Sequence, residues 1–241
     1  MTTAQPSVSD RYWAIIPAAG AGTRMGTSRP KQYLPLRGKT VLEHSLTRIV
    51  EHPRIAATVV VIAAGDEYWP SLAVAYAERS LIVAHGGAER CLSVLNGLRA
   101  LSGRAAPRDW VLVHDAARPC VRREDIDRLI EQLHDHPVGG LLGIPVTDTK
   151  KSTDEQGNII RTVRREGLWR AMTPQMFRYE MLSQALQAAV ERGVMVTDES
   201  AAMEEAGYTP RMVEGHVDNI KITRPQDLVL AELYLQQQER A

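Results

Sequence analysis

Residues 17–26 read Pro-Ala-Ala-Gly-Ala-Gly-Thr-Arg-Met-Gly, and Arg29-Pro30-Lys31-Gln32 follows at once. Glycines at this density let backbone N–H groups close around phosphate oxygens. Gly-x-Gly alone is only a tight turn, but Arg24 and Lys31 add two cations to the same loop, and the combination points to phosphate chemistry. Two familiar phosphate patterns are excluded. The dinucleotide fingerprint needs Gly-x-Gly-x-x-Gly and an acid about 20 residues on; here Gly26 is one place late and no acid ends the second apolar run. The Gly-x-x-x-x-Gly-Lys-Ser/Thr loop is absent. Farther along, Asp115 closes the run 110–114, with Arg118 three residues beyond. A carboxylate ending a parallel strand stands where ligands gather in open α/β sheets, and it suits a hard cation. Its plain alternative is a turn or helix cap. Asp218 and Lys221 share a late segment, where Lys221 suits a phosphate or an ordinary surface ion pair.

The elements that must hold these residues follow from periodicity. The apolar runs 12–17, 57–63, 81–84, 110–114 and 141–145 read as strands, and the unbroken run at 57–63 predicts burial on both faces. Between them lie helical patterns. Thr40-Val-Leu-Glu43 is a capping box opening a helix with Leu42, Leu46, Ile49 and Val50 on one face. A helix over about 67–77 follows, then one burying Leu92, Leu95, Leu98 and Leu101 behind Gly86-Gly87, then an amphipathic one over 123–134. Repeated βα units of this length give a doubly wound α/β fold with a mostly parallel sheet. After Pro145 the pattern changes. Residues 146–172 hold two alternating runs around Asp154-Glu-Gln-Gly-Asn158, a hairpin signal too charged for a core. We expect an arm, and Ile159, Ile160, Val163, Leu168 and Trp169 on it call for a cover such as a second subunit. A helix over 179–192, a helix start at Thr197-Asp198-Glu199, a strand near Met212-Val213 and a last helix opening at Pro225 behind Thr223 complete the reading.

The segment 18–26 together with Pro30-Lys31-Gln32-Tyr33-Leu34 resembles the signature of nucleotidyltransferases that activate sugars and polyols. Later blocks narrow the likeness: 86–94 (Gly-Gly-Ala-Glu-Arg-Cys-Leu-Ser-Val), 113–119 (Val-His-Asp-Ala-Ala-Arg-Pro), Thr173-Pro-Gln175, Thr197-Asp-Glu199 and 218–225. In this order they resemble the 2-C-methyl-D-erythritol 4-phosphate cytidylyltransferase family over about 13–234, nearly the whole chain. The resemblance implies a single Rossmann-type nucleotidyltransferase domain over 1–241 with the arm as dimerisation element. It implies transfer from CTP to the methylerythritol phosphate, with release of pyrophosphate and use of a divalent cation, Mg²⁺. Arg24 and Lys31 then stabilise the transition state. Ala18, Ala19, Gly87 and Ser93 read the cytosine, with Gly20 and Gly22 in the phosphate loop, while Ala88 excludes a side-chain contact to the base at its position. Asp115, Arg118, Thr149, Arg165, Thr173, Thr197 and Lys221 surround the polyol phosphate. Asp115 and Asp218 are the acids near the metal. Thr149 and Arg165 lie on the arm, so a homodimer would lend them to the neighbouring site; a solvated surface arginine is the alternative for Arg165, beside Arg161 and Arg164.

Composition excludes other classes. The chain has 241 residues with 29 basic and 29 acidic side chains, so no net charge argues for nucleic acid. No apolar run approaches the ~20 residues of a membrane helix, and the polar first ten residues lack a signal-peptide pattern. Cys91 and Cys120 match neither a redox pair nor a metal spacing, which fits reduced thiols in the cytoplasm. No His/Cys cluster suggests zinc, and His114 reads as a packed strand-end residue. The nearest rival is a cytidylyltransferase for another polyol phosphate, such as ribitol 5-phosphate. An oxidoreductase is disfavoured by the displaced glycine, and a non-catalytic scaffold by the joint presence of Arg24, Lys31 and Asp115.

Removing either loop cation tests this reading. Arg24→Ala and Lys31→Ala should each cut turnover by about 10²–10³, the range for a lost transition-state donor. Near-wild-type turnover in a folded variant would remove that residue from the mechanism.

Overall fold

The structure is a computed structural model that describes residues 10–20 and 29–240. Gly22 and Arg24 therefore lie outside the described residues. In chain order the elements begin with β1 (Tyr12–Pro17), β2 (Pro35–Leu36), β3 (Lys39–Thr40), α1 (Val41–Val50) and β4 (Ile55–Ile62). Next come α2 (Trp69–Ala73), β5 (Leu81–His85), α3 (Arg90–Ala100), β6 (Trp110–Val113), α4 (Arg123–Leu133) and β7 (Gly139–Pro145). The chain continues through β8 (Lys150–Thr153), β9 (Ile159–Val163) and β10 (Trp169–Arg178) to α5 (Tyr179–Glu191), α6 (Glu199–Glu205), β11 (Arg211–Glu214) and α7 (Pro225–Gln238).

Successive residues of a strand point to opposite faces, so the doubly apolar β1 needs a helix layer on each side. Ala14 and Ile16 meet Leu42, Leu46 and Ile49 of α1, with Ile126 and Leu129 of α4 in the same core. Trp13 and Ile15 pack into the other core, with Val94, Leu95 and Leu98 of α3 and Leu182 and Leu186 of α5. The seven-stranded sheet runs β11-β7-β10-β6-β1-β4-β5. Only β10 is antiparallel to its neighbours; β1, β4, β5 and β6 pair in parallel, as do β7 and β11. The doubly wound, mostly parallel expectation holds. Because β4 and β6 flank β1 on opposite sides, the strand order reverses between β1 and β6. A crevice opens there at the carboxyl ends of the strands, the usual ligand position in such sheets.

A third apolar cluster joins the far end of the chain to this crevice. Leu34, Leu36 and Val41 pack with Ala117, Cys120 and Ile222, beneath Ala231 and Leu235 of α7. Burial pushes the Cys120 thiol up to about 12, so it sits there as a small hydrophobe. The capping box forms as read: Thr40 Oγ1 accepts from Glu43 N at 3.2 Å, and Glu43 Oε2 accepts from Thr40 N at 2.6 Å. A cap of this kind stabilises its helix by about 1 kcal/mol.

Three local readings change. Residues 67–77 form α2 followed by a short 3-10 turn, Val74–Tyr76. Asp66 Oδ1 accepts from the N–H groups of Tyr68 and Trp69, both at 3.0 Å, and organises the turn that enters the helix. At α7 the N-cap is Arg224; Thr223 instead donates its N–H and hydroxyl to Asp227 Oδ2, at 2.8 and 2.9 Å. The third concerns the arm. The hairpin exists, with β8 and β9 paired to each other and Ile159 and Ile160 64% and 65% exposed. Its paired strands end at Val163, however, and Trp169 and Met172 belong to β10 in the central sheet. Proline argues against a central strand, yet the β10–β7 ladder is interrupted between Ala171 and Gln175, where Pro174 leaves no donor missing.

Candidate active site

The crevice begins where β1 ends. Ala18 N donates to Val61 O at 2.7 Å, carrying the parallel pairing one residue past the strand. Gln32, buried in the short 3-10 turn Lys31–Tyr33, then donates from Nε2 to the carbonyls of Ala18 and Gly20, at 2.6 and 3.0 Å. The same turn brings Lys31 to the wall, its Nζ donating to the Ile222 carbonyl at 3.0 Å. Opposite stands the glycine pair after β5. A Cβ on Gly86 would lie 2.3 Å from Ala19 Cβ, and one on Gly87 would lie 2.5 Å from Leu92 Cβ. Only glycine lets the loops approach this closely. Ser93 completes the turn: its hydroxyl accepts from Gly87 N and donates to Glu89 O, both at 3.1 Å. Between these loops and the end of β6 lies a cavity of about 390 Å³, bordered by Ala18–Gly20, Lys31, Gly87, Ser93, Asp115 and Lys221.

A second cavity of about 160 Å³ adjoins it, bordered by Arg118, Thr173, Gln175 and Thr197. Arg90, Asp115 and Lys221 line both. At this junction Asp115 is 6% exposed and faces three cations. Arg90 Nε donates to Oδ1 at 3.0 Å, Lys221 Nζ lies 2.8 Å from Oδ2, and Arg118 Nε lies 3.5 Å from Oδ2. Burial alone would raise the carboxyl pKa; Arg90, Lys221 and Arg118 together outweigh it and hold Asp115 well below the usual carboxylate range. Arg90 is itself gripped by the fully buried Glu199, with Nη1–Oε1 at 2.7 Å and Nη2–Oε2 at 3.2 Å. Burial raises the Glu199 carboxyl above its ordinary range, and Arg90 offsets only part of that rise.

Beneath the junction runs a chain of hydrogen bonds whose direction can be deduced. Asp115 N donates to Thr173 Oγ1 at 3.0 Å, and that oxygen is 3.1 Å from His114 Nδ1. His114 Nε2 is 3.0 Å from the Arg118 carbonyl, which can only accept. Nε2 therefore carries a hydrogen, and in the neutral ring Nδ1 accepts from the Thr173 hydroxyl. Burial drives the His114 pKa down to about 4, consistent with a neutral ring. Asn219 closes the assembly, donating from Nδ2 to Thr173 O and accepting at its carbonyl from Arg118 Nη1, both at 2.8 Å.

Of the residues read from sequence, Ala18, Ala19, Gly20, Lys31, Gly87, Ser93, Asp115 and Lys221 border the larger cavity. Arg118, Thr173 and Thr197 border the smaller one. Thr149 and Arg165 border neither; both are exposed, and the Arg165 guanidinium donates to the Thr147 carbonyl at the hairpin base. Asp218 differs from its expected place near a metal. It is buried on Arg122, with Nη2 2.6 Å from Oδ2, and accepts from Gln238 Nε2 at 2.9 Å, so it ties the loop to α7. Among the described residues, no group of three His, Cys, Asp or Glu side chains is placed to hold a metal ion. Sequence reasoning assigned no role to Gln32, Arg90, Glu199 or Asn219. All four stand inside the quoted blocks, and membership of those blocks was the only signal available for them.

With this geometry in view, the profile of the family described as IspD, 2-C-methyl-D-erythritol 4-phosphate cytidylyltransferase, matches residues 12–237. The Vibrio parahaemolyticus protein of that name is 53% identical over 222 residues, 92% of this chain and 94% of its own. The Pseudomonas aeruginosa protein of that name is 53% identical over 219 residues, 90% of this chain and 93% of its own. The crystal structure of the Francisella tularensis protein of that name superposes with a TM-score of 0.81 at 34% identity, covering 93% of this chain and all of that one. That of a 4-diphosphocytidyl-2C-methyl-D-erythritol synthase gives 0.82 at 39% identity, covering 94% and 99%.

The state of His114 gives a pH prediction. Its folded pKa, about 4, lies below the ordinary imidazole value of about 6.5, so between these pH values the unfolded chain binds a proton that the folded one does not. Stability should therefore be flat above about pH 6.5 and fall as the pH drops toward 4. His44, His52 and His136, also lowered by burial, add to the slope. Urea unfolding of His114→Asn across this window should show a shallower slope, by up to one proton; an unchanged slope would mean that His114 titrates normally in the fold.

Proposed function

Because the chain belongs to the 2-C-methyl-D-erythritol 4-phosphate cytidylyltransferase family, we propose that it joins CTP to 2-C-methyl-D-erythritol 4-phosphate and releases pyrophosphate. The observation that carries this reading is the pair of adjoining cavities whose shared wall is Arg90, Asp115 and Lys221. The larger takes the nucleotide against the β1 loop and the glycine pair. The smaller takes the polyol phosphate against Arg118, Thr173 and Thr197. An oxygen of the polyol phosphate forms a bond to the α-phosphorus of CTP, and the bond from that phosphorus to the bridging oxygen breaks as pyrophosphate leaves. A phosphate monoester loses its second proton near pH 6 and is already a nucleophile at neutral pH. The groups around the junction match that need: Asp115 is too acidic to serve as a base, and both nitrogens of His114 are committed. What remains is positioning and neutralisation of charge, supplied by Lys31, Lys221 and Arg118.

A divalent cation fits as a companion of the nucleotide. Magnesium keeps several waters and phosphate oxygens and needs only one or two carboxylates; Asp115 is the acid common to both cavities among the described residues, and because Arg90, Lys221 and Arg118 already meet its oxygens, nucleotide phosphates would supply most of the ligands. When bound, Mg²⁺ neutralises phosphate charge. We further propose a homodimer in the cytoplasm. Ile159 and Ile160 on the arm support the first and the buried free thiols of Cys91 and Cys120 the second. No helix of the described residues is long and apolar enough to cross a membrane.

Pyrophosphate release from CTP should depend on 2-C-methyl-D-erythritol 4-phosphate, with ribitol 5-phosphate and UTP both poor replacements, since unpaired polar groups in a site discriminate strongly. Equal kcat/KM for the two polyol phosphates, or for CTP and UTP, would overturn the assignment. Mixing Arg165→Ala with Arg24→Ala subunits tests the dimer. A mixed dimer assembles one site with both arginines intact, so activity should recover to about half of wild type per mixed dimer if the sites act independently. No recovery, with mixed dimers verified by mass, would confine Arg165 to its own subunit or exclude it from the site.

A further inference from the structure

Glu199 touches neither cavity among the described residues, yet it is fully buried 109 residues in sequence from the arginine that receives both its oxygens. Its own place is fixed from below. Asp198 caps α6, accepting from Ala201 N at 2.9 Å, and its other oxygen accepts from Gln175 Nε2 of β10, also at 2.9 Å. Gln175 Oε1 in turn accepts from Ser200 N at 2.8 Å. The start of α6 is thus locked to the central sheet, and the Glu199 carboxylate is held in place.

Arg90 lies between that carboxylate and Asp115. Its side chain is 27% exposed, and in the functional reading above the crevice it borders receives the phosphates. The bidentate grip of Glu199 orients the plane so that Nε and Nη2 both face Asp115 Oδ1, each at 3.0 Å. Asp115 is then fixed through Oδ1, while Oδ2 faces Lys221 and Arg118 on the side of the smaller cavity. Lys221, 36% exposed, remains a cation for phosphate.

We propose that Glu199 is a positioning residue: through Arg90 it aims Asp115 at the hydroxyl groups of the polyol. This inference rests on the functional reading above. It separates two roles that a row of cations would blur. Arg90 serves the acceptor side by holding an acid, and the phosphates are left to Lys31, Lys221 and Arg118. A buried ion pair that merely ties α6 to α3 would contribute to stability and favour neither substrate.

The experiment compares wild type, Glu199→Gln, Arg90→Gln and the double variant. The readouts are steady-state pyrophosphate release, calorimetric CTP affinity without polyol, and melting temperature. Glu199→Gln should raise KM for 2-C-methyl-D-erythritol 4-phosphate about tenfold or more and leave the CTP Kd within about twofold. The double variant should be no worse than Arg90→Gln alone, because the second change acts through the first. Should Glu199→Gln not fold, Arg90→Gln alone must show the same split between substrates. Equal losses for CTP and polyol, additive effects, or an unchanged polyol KM in a folded variant would each overturn the role. Wild-type protein that releases no pyrophosphate with this polyol phosphate defeats the functional reading and this inference together. Wild-type turnover with no split in the variants defeats the inference alone.

Discussion

A carboxylate buried at the end of a central strand is the constraint from which the rest of the site follows. Breaking a buried ion pair by removing one partner costs about 3–5 kcal/mol, so the three cations on Asp115 are held where they are. They come from distant parts of the chain: Arg90 from α3, Arg118 from the loop after β6, and Lys221 from the segment before α7. Satisfying one anion therefore pins three loops around one crevice. The hydrogen bonds below it extend the effect, since Thr173 and Asn219 tie β10 and the late segment to the same strand end.

The sheet explains why those loops meet. Reversal of strand order between β1 and β6 leaves a gap that no crossing helix fills, and the loops after β1, β5 and β6 converge on it. Each loop is then tightened by its own device. Gln32 takes up two carbonyls of the β1 loop, Gly86 admits Ala19 at a distance no side chain would allow, and Ser93 folds the glycine pair onto α3. A site built this way is organised before substrate arrives, which is where electrostatic catalysis derives most of its strength.

Periodicity and turn chemistry were enough to read the alternating framework, because β1, β4 and α1 follow local rules: doubly apolar runs for buried strands and a capping box for the helix. Local rules also explain what escaped. β10 carries a proline, and only the interrupted ladder beside β7, a tertiary fact, makes that proline acceptable. The cavity-lining residues were legible as motif members, whereas Glu199 and Gln32 act on other protein groups, so nothing in their types signals a ligand. Asp218 shows the converse: an acid beside Lys221 reads as a possible metal partner, whereas the structure pairs it with Arg122, 96 residues away, whose Nε donates to it at 2.8 Å.

The charge balance of the site also limits which atoms can react. A chain with 29 basic and 29 acidic side chains has no overall field to gather anions, so attraction must come from placement. Lys31 and Lys221 stand at a crevice whose acid is already matched by cations. Such a crevice welcomes phosphates but has little means of removing a proton, because Asp115 holds its charge and neutral His114 has both nitrogens occupied. The hydroxyl groups of a polyol stay protonated near neutral pH, and without a base they attack poorly. A phosphate monoester arrives as a dianion and needs no such help. The same arrangement that stabilises the transferring phosphoryl group thus selects the phosphate oxygen over the hydroxyls as nucleophile. Regiochemistry follows from withholding a base as much as from shape.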